Sequence, residues 1–143
     1  MKYMLVMRAT DQAIEGSADA NFDEIVTAMG RYNESLIKAG VLLAGEGLAA
    51  PEEGFVVDFD SDTPLVSDGP YGETKELFSG FWIIQTASKA EAVEWAKRCP
   101  LGPGTKLEVR RVTEMEEFDQ NNEYIQKEAG WREELGTDRP VVG

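Results

Sequence analysis

Apolar residues follow two spacings along this chain, and the changes of spacing mark the elements. Residues 2–8 are short and apolar and predict a buried strand. From 22 to 39 the spacing is helical: Phe22, Ile25, Val26, Met29, Leu36 and Ile37 fall on one stripe. Asn21 is a suitable cap, with Glu24 three residues on, and Gly40 is a natural stop. Val41-Leu42-Leu43-Ala44 starts a second strand that runs into Gly45-Glu46-Gly47. Phe55, Val57 and Phe59 alternate with Val56, Asp58 and Asp60, and Leu65-Val66-Ser67 returns after a polar turn, which predicts a hairpin. Residues 78–86 are apolar on both faces, with Phe78, Trp82 and Ile84 on one and Phe81 and Ile83 on the other. That pattern belongs to a central strand. Ser88-x-x-Glu91 opens a second helix with Ala92, Trp95, Ala96 and Cys99 on one stripe, and Pro100 ends it. Residues 106–112 predict the last strand, with Leu107, Val109 and Arg111 on one face.

The order is β-α-β, a hairpin, then β-α-β. The expected fold class is α+β: a ferredoxin-like sandwich with an inserted β-hairpin. Two helices cover one face of such a sheet. The other face carries apolar residues that also need cover, so a homodimer, a dimeric α+β barrel, is expected. Residues 1–112 form the expected domain and 113–143 an acidic, partly helical C-terminal extension. The extension holds nine acids and three bases. Met115, Phe118, Ile125 and Ala129 suggest one stripe on it, and Tyr124 with Trp131 another.

Composition narrows the chemistry. The chain has 143 residues, 14 Lys+Arg, 27 Asp+Glu and a net charge of −13. That balance argues against direct contact with nucleic acid or an anionic membrane. No run approaches the roughly 20 apolar residues of a membrane span, and the apolar start is too short for a signal peptide. One cysteine, Cys99, permits no internal disulfide and fits a cytoplasmic protein. There is no histidine, which removes Ser-His-Asp and Cys-His chemistry and the usual His-containing zinc sites. Proton transfer falls to carboxylates, Lys, Tyr or the thiol. Gly45-x-Gly47-x-x-Ala50 lacks the helix start that a dinucleotide site needs, and Asp58-x-Asp60-x-Asp62 departs from a calcium loop at its sixth and twelfth positions. No metal and no cofactor are expected.

The most unusual stretch is Ser67-Asp68-Gly69-Pro70-Tyr71-Gly72-Glu73-Thr74-Lys75-Glu76. It resembles the signature of the YCII-related family in its DGPF-domain branch, with Tyr71 in the aromatic place. Gly40–Leu48, Gly80–Ile84, Glu94–Pro100 and Leu107–Arg110 resemble further family blocks in the same order, so the resemblance covers residues 1–112. It implies a ferredoxin-like fold that pairs into a dimeric α+β barrel. Most members have no assigned activity. Some relatives are lyases or dehalogenases on small lactones with a His-Asp pair, which this chain cannot form. Some DGPF members are encoded beside extracytoplasmic-function sigma factors, so a sigma factor enters as a partner by family analogy alone.

The residues themselves leave two readings of the signature: a turn pinned by local ion pairs, or a polar cluster at a cleft mouth. In the second, Asp68 and Glu73 are the candidate catalytic bases, and Glu46, Tyr71, Lys75, Trp82 and Arg110 the candidate ligand-binding residues, for a small organic anion. Arg111 has the plainer expectation of an ion pair at the rim, with Glu46 as a partner. The leading function is a small-molecule-binding or regulatory dimer. The alternatives are a lyase or isomerase on a small organic acid or lactone with a carboxylate base, and a protein-interaction module that uses the acidic tail.

Overall fold

The computed structural model describes residues 1–10, 21–69 and 76–143. Strands β1 (Lys2–Thr10), β2 (Leu42–Gly47), β5 (Glu76–Gln85) and β6 (Thr105–Arg111) form one antiparallel sheet in the order β2-β5-β1-β6. Helices α1 (Phe22–Lys38) and α2 (Lys89–Lys97) are the two crossovers. Among the described residues, strands β3 (Phe55–Asp58) and β4 (Leu65–Asp68) pair only with each other, as a separate hairpin between β2 and β5 in the chain. With that hairpin set aside, the strand order is that of a ferredoxin-like sandwich.

Local chemistry explains the helix limits. The Asn21 side chain accepts the N–H groups of Asp23 and Glu24, and Gly40 leaves α1 at φ +71°, a left-handed conformation that glycine adopts without strain. The Ser88 hydroxyl accepts the Glu91 N–H, while the Glu91 carboxylate reaches back to accept from Ala87 N–H at 2.8 Å, one residue beyond the N-cap N–H that the usual capping box engages. Register sets the faces of the sheet. Tyr3 lies between Ile84 and Arg111, Leu5 between Trp82 and Val109, and Met7 between Gly80 and Leu107. This face meets the helices: Tyr3, Leu5, Trp82 and Ile84 join Tyr32, Leu36, Val41, Leu42 and Ala92 in the core. Leu5, Leu36 and Ile84 are wholly enclosed, each worth about 1.5–3 kcal/mol of burial. Phe22 and Val26, expected on the inner stripe of α1, are exposed, because the packed part of the helix begins near Met29.

One expectation for the central strand changes. β5 shifts register between the partners of Met7 and Arg8, so Gly80 pairs with Met7 but Phe78 with Arg8. The extra residue reverses the alternation. Phe78 therefore joins Phe81 on the open face, with ring centroids 6.3 Å apart, instead of Trp82 on the core face. Met4, Val6, Phe81 and Ile83 make the middle of that open face and are only half-buried.

After β6 the chain makes a short 3-10 turn at Met115–Glu117, then α3 (Glu123–Leu135). Tyr124 and Trp131 point outward, while Ile125 is half-buried. Arg111 anchors this passage through a two-pronged bond to Glu117, at 2.7 and 2.6 Å, so its partner is Glu117 and not Glu46. That guanidinium, helped by the Glu114 N–H, lowers the Glu117 carboxyl to about 2 from an ordinary value of 4.5. A lowered folded-state value means that the stabilisation is whole above 4.5 and is lost as pH falls toward 2. A carboxyl-carbon NMR titration is expected to place Glu117 near 2 and to return it toward 4.5 in Arg111→Gln; an unchanged midpoint in that variant refutes the assignment.

Candidate functional site

The sheet and α1 leave a cavity of about 240 Å³ on the helix side of β2 and β5. Met7, Met29 and Trp82 supply its apolar walls, and Gly45, Gly47 and Gly80 its backbone floor. The glycines make room by letting chains approach closely. A Cβ on Gly45 would stand 3.0 Å from Trp82 Cδ1; one on Gly80 would stand 3.0 Å from the Glu46 carbonyl oxygen and 3.2 Å from Met7 Cε.

Asn33 contributes a polar side chain to the lining. Trp82 Nε1–H donates to Asn33 Oδ1 at 2.8 Å, which settles which amide atom faces the indole and leaves the two Nδ2 donors for other partners. Trp82 is itself fixed by an edge-to-face contact with Tyr32, centroids 5.5 Å apart at 89°. The Tyr32 hydroxyl donates to the Trp95 carbonyl at 2.9 Å, and its burial raises its pKa well above the ordinary tyrosine value. Tyr32 is thus a neutral strut rather than an acid at working pH.

The seven residues singled out in the sequence fall in different places. Trp82 and Glu46 both line the cavity. Register puts the Glu46 side chain on the Phe81 face, opposite Trp82, so its backbone borders the space and its carboxylate stands at the exposed edge. Arg110 shares the open face but lies on β6, at the far edge from β2. Three strand spacings, about 14 Å, separate those two edges. Asp68 is exposed at the end of β4 opposite Phe55, away from the cavity wall. Tyr71, Glu73 and Lys75 lie outside the described residues. The Asp58 carboxylate accepts the Asp60 N–H at 2.8 Å in a local turn, and among the described residues no group of three acids or thiols is placed to hold a metal ion.

Met7, Met29, Asn33 and Gly80 were missed in the sequence. Asn33 carried a readable signal: it sits in the middle of the apolar stripe, four residues from both Met29 and Ile37. Gly80 inside an apolar strand was a second sign of close backbone approach.

A scan against family models matches the YCII-related domain over residues 1–116. The chain belongs to the YCII-related family. A curated relative from Rhizobium meliloti (strain 1021) is 26% identical over 93 residues, covering 64% of this chain and 75% of the relative, and is described as an uncharacterized protein. Membership thus brings the fold and leaves the activity to be argued from the site. Among the described residues, no helix is long and apolar enough to cross a membrane.

Cys99 of this YCII-related chain sits where its thiol is disfavoured as a thiolate. Its half-buried thiol packs against the core, and desolvation pushes its pKa up to about 12. At pH 8.5 it should hold about a thousandth of the thiolate of an ordinary cysteine. Alkylation is expected to be slower by that order in the native protein than in urea; equal rates would refute it.

Proposed function

We propose that this YCII-related protein is a small-molecule-binding module whose ligand occupies the cavity between α1 and the β2–β5 ribbon. The observation that carries the reading is the Trp82–Asn33 pair. Its hydrogen bond holds in one orientation an amide that lines a glycine-floored slot walled by Met7, Met29 and Trp82. Such a slot suits a compact, flat molecule with a carbonyl or carboxylate acceptor, smaller than the roughly 300–1,000 Å³ of drug-sized sites. The enzymatic alternative gains less, since Asp68 stands away from this wall.

We further propose that two chains pair through the open sheet face, where Met4, Val6, Phe81 and Ile83 are half-buried and flanked by the Arg8–Glu108 ion pair. A cytoplasmic location accords with a single cysteine kept as a thiol.

The test is a thermal-shift screen with small aromatic amides, ketones and carboxylic acids at millimolar concentration. A ligand at ten times its Kd adds about 1.4 kcal/mol and raises Tm by several degrees. The shift is expected in the wild type and absent in Gly45→Val, whose branches would enter the slot. A panel that leaves the wild-type Tm unmoved overturns the binding reading.

A further inference from the structure

We propose that residues Asp138–Gly143 are a strap that clamps α1 to the outer edge of β2 and so sets the opening of the cavity. The strap has three attachments. At its start, Asp138 Oδ1 meets Lys2 Nζ at 2.6 Å; the Lys2 side chain is 14% exposed and the Asp138 side chain 49%, so the pair is covered on the lysine side and open to water on the other. Arg132 Nη1 stands 4.0 Å from the same oxygen.

Three residues later, Val141 N–H donates to the Leu42 carbonyl at 2.7 Å. Strand β2 is an edge strand; the neighbouring Val41 carbonyl takes the inward bond, from Gln85 N–H, and the Leu42 carbonyl faces out. An exposed edge of this kind is an open invitation to pairing, and Val141 occupies its first position. At the end of the strap, Gly143 packs so closely on α1 that a Cβ there would come within 2.6 Å of Ile37 Cγ2.

The strap thus runs from the start of β1, across the edge of β2, to the last turns of α1. Asn33, one turn before Ile37, links it to the site. It lines the groove of about 610 Å³ that the strap borders and also the 240 Å³ cavity, where its Oδ1 holds the Trp82 indole. Lifting the strap frees Ile37 and the outer edge of β2 together, and the Trp82–Asn33 bond is the first polar link on that path.

The proposal rests on the binding reading only for the meaning of the cavity. The test therefore needs no ligand. The Trp82 indole N–H is the donor that ties β5 to α1 through Asn33, and its exchange with deuterium is read by NMR on the full chain, with the signal assigned through Trp82→Phe. Val141→Pro removes the donor to Leu42, and Lys2→Gln removes the ion pair. Either change is expected to speed Trp82 indole exchange at least tenfold while the Leu5 and Ile84 amides, in the centre of the sheet, keep their protection. Exchange within twofold of wild type in both variants overturns the strap. Should Val141→Pro lose the protection of the whole sheet, Lys2→Gln, which keeps every backbone donor, decides alone. A wild-type protein that binds no compound in the thermal-shift panel would sink the binding reading and leave the exchange result standing.

Discussion

Replacing Trp82 by alanine is expected to cost about 3–5 kcal/mol and to abolish ligand binding. Three losses coincide in that change. The side chain is 6% exposed, so its truncation opens a large hole in the core. The edge-to-face contact with Tyr32 goes with it, worth about 0.5–1.5 kcal/mol beyond area. Asn33 Oδ1 loses its donor, and the amide is no longer held in one orientation. Trp82→Phe separates these effects. It keeps an aromatic ring against Tyr32 but has no N–H, so it should cost about 1–2 kcal/mol and weaken ligand binding without removing the wall. Urea denaturation gives the stabilities, and the thermal-shift response gives the binding. Equal stability of Trp82→Ala and wild type would mean that the indole does not hold the core; full ligand response in Trp82→Ala would mean that the cavity is not the site.

The fold was legible because each crossover carries its own punctuation. Asn21 and Ser88 begin the helices, Gly40 and Pro100 stop them, and the strands between them are short apolar runs. The face of Phe78 was not legible. Alternation assigns it to Trp82's side, and only the register shift at Ser79, just before Gly80, moves it to Phe81's side. A bulge depends on pairing with β1, which local spacing does not record. The partner of Arg111 was hidden for a similar reason: Glu117 comes within reach only because a 3-10 turn follows β6.

The candidate site was legible at Trp82 and in the glycines around Glu46. It was not legible as a set. Strand neighbours two positions apart share a face, but Glu46 and Arg110 sit on opposite edge strands, a separation fixed by strand order rather than by any motif. Sequence reading also favours charged residues as functional, and so it passes over Asn33, a neutral amide that lines this cavity.

Ile83→Glu is expected to keep the fold but to abolish the pairing of two chains proposed for the open face. Ile83 lies in the middle strand pair of the open face, between Met4 on β1 and Ala44 on β2. On the isolated chain the residue is half-buried, so a carboxylate there still reaches water and costs little. In a two-fold pair it faces a second copy of the same surface, and each chain already carries a net charge of −13. Burying an unpaired carboxylate in such a contact costs several kcal/mol, which weakens the dimer about a thousandfold or more. Sedimentation equilibrium at tens of micromolar should give a two-chain mass for the wild type and a one-chain mass for the variant, with unchanged circular dichroism. Added salt should strengthen the wild-type pair, because it screens repulsion between two acidic chains. A variant that still sediments as a dimer would move the interface to another surface; a wild type that sediments as one chain would leave the open face without a second copy to cover it.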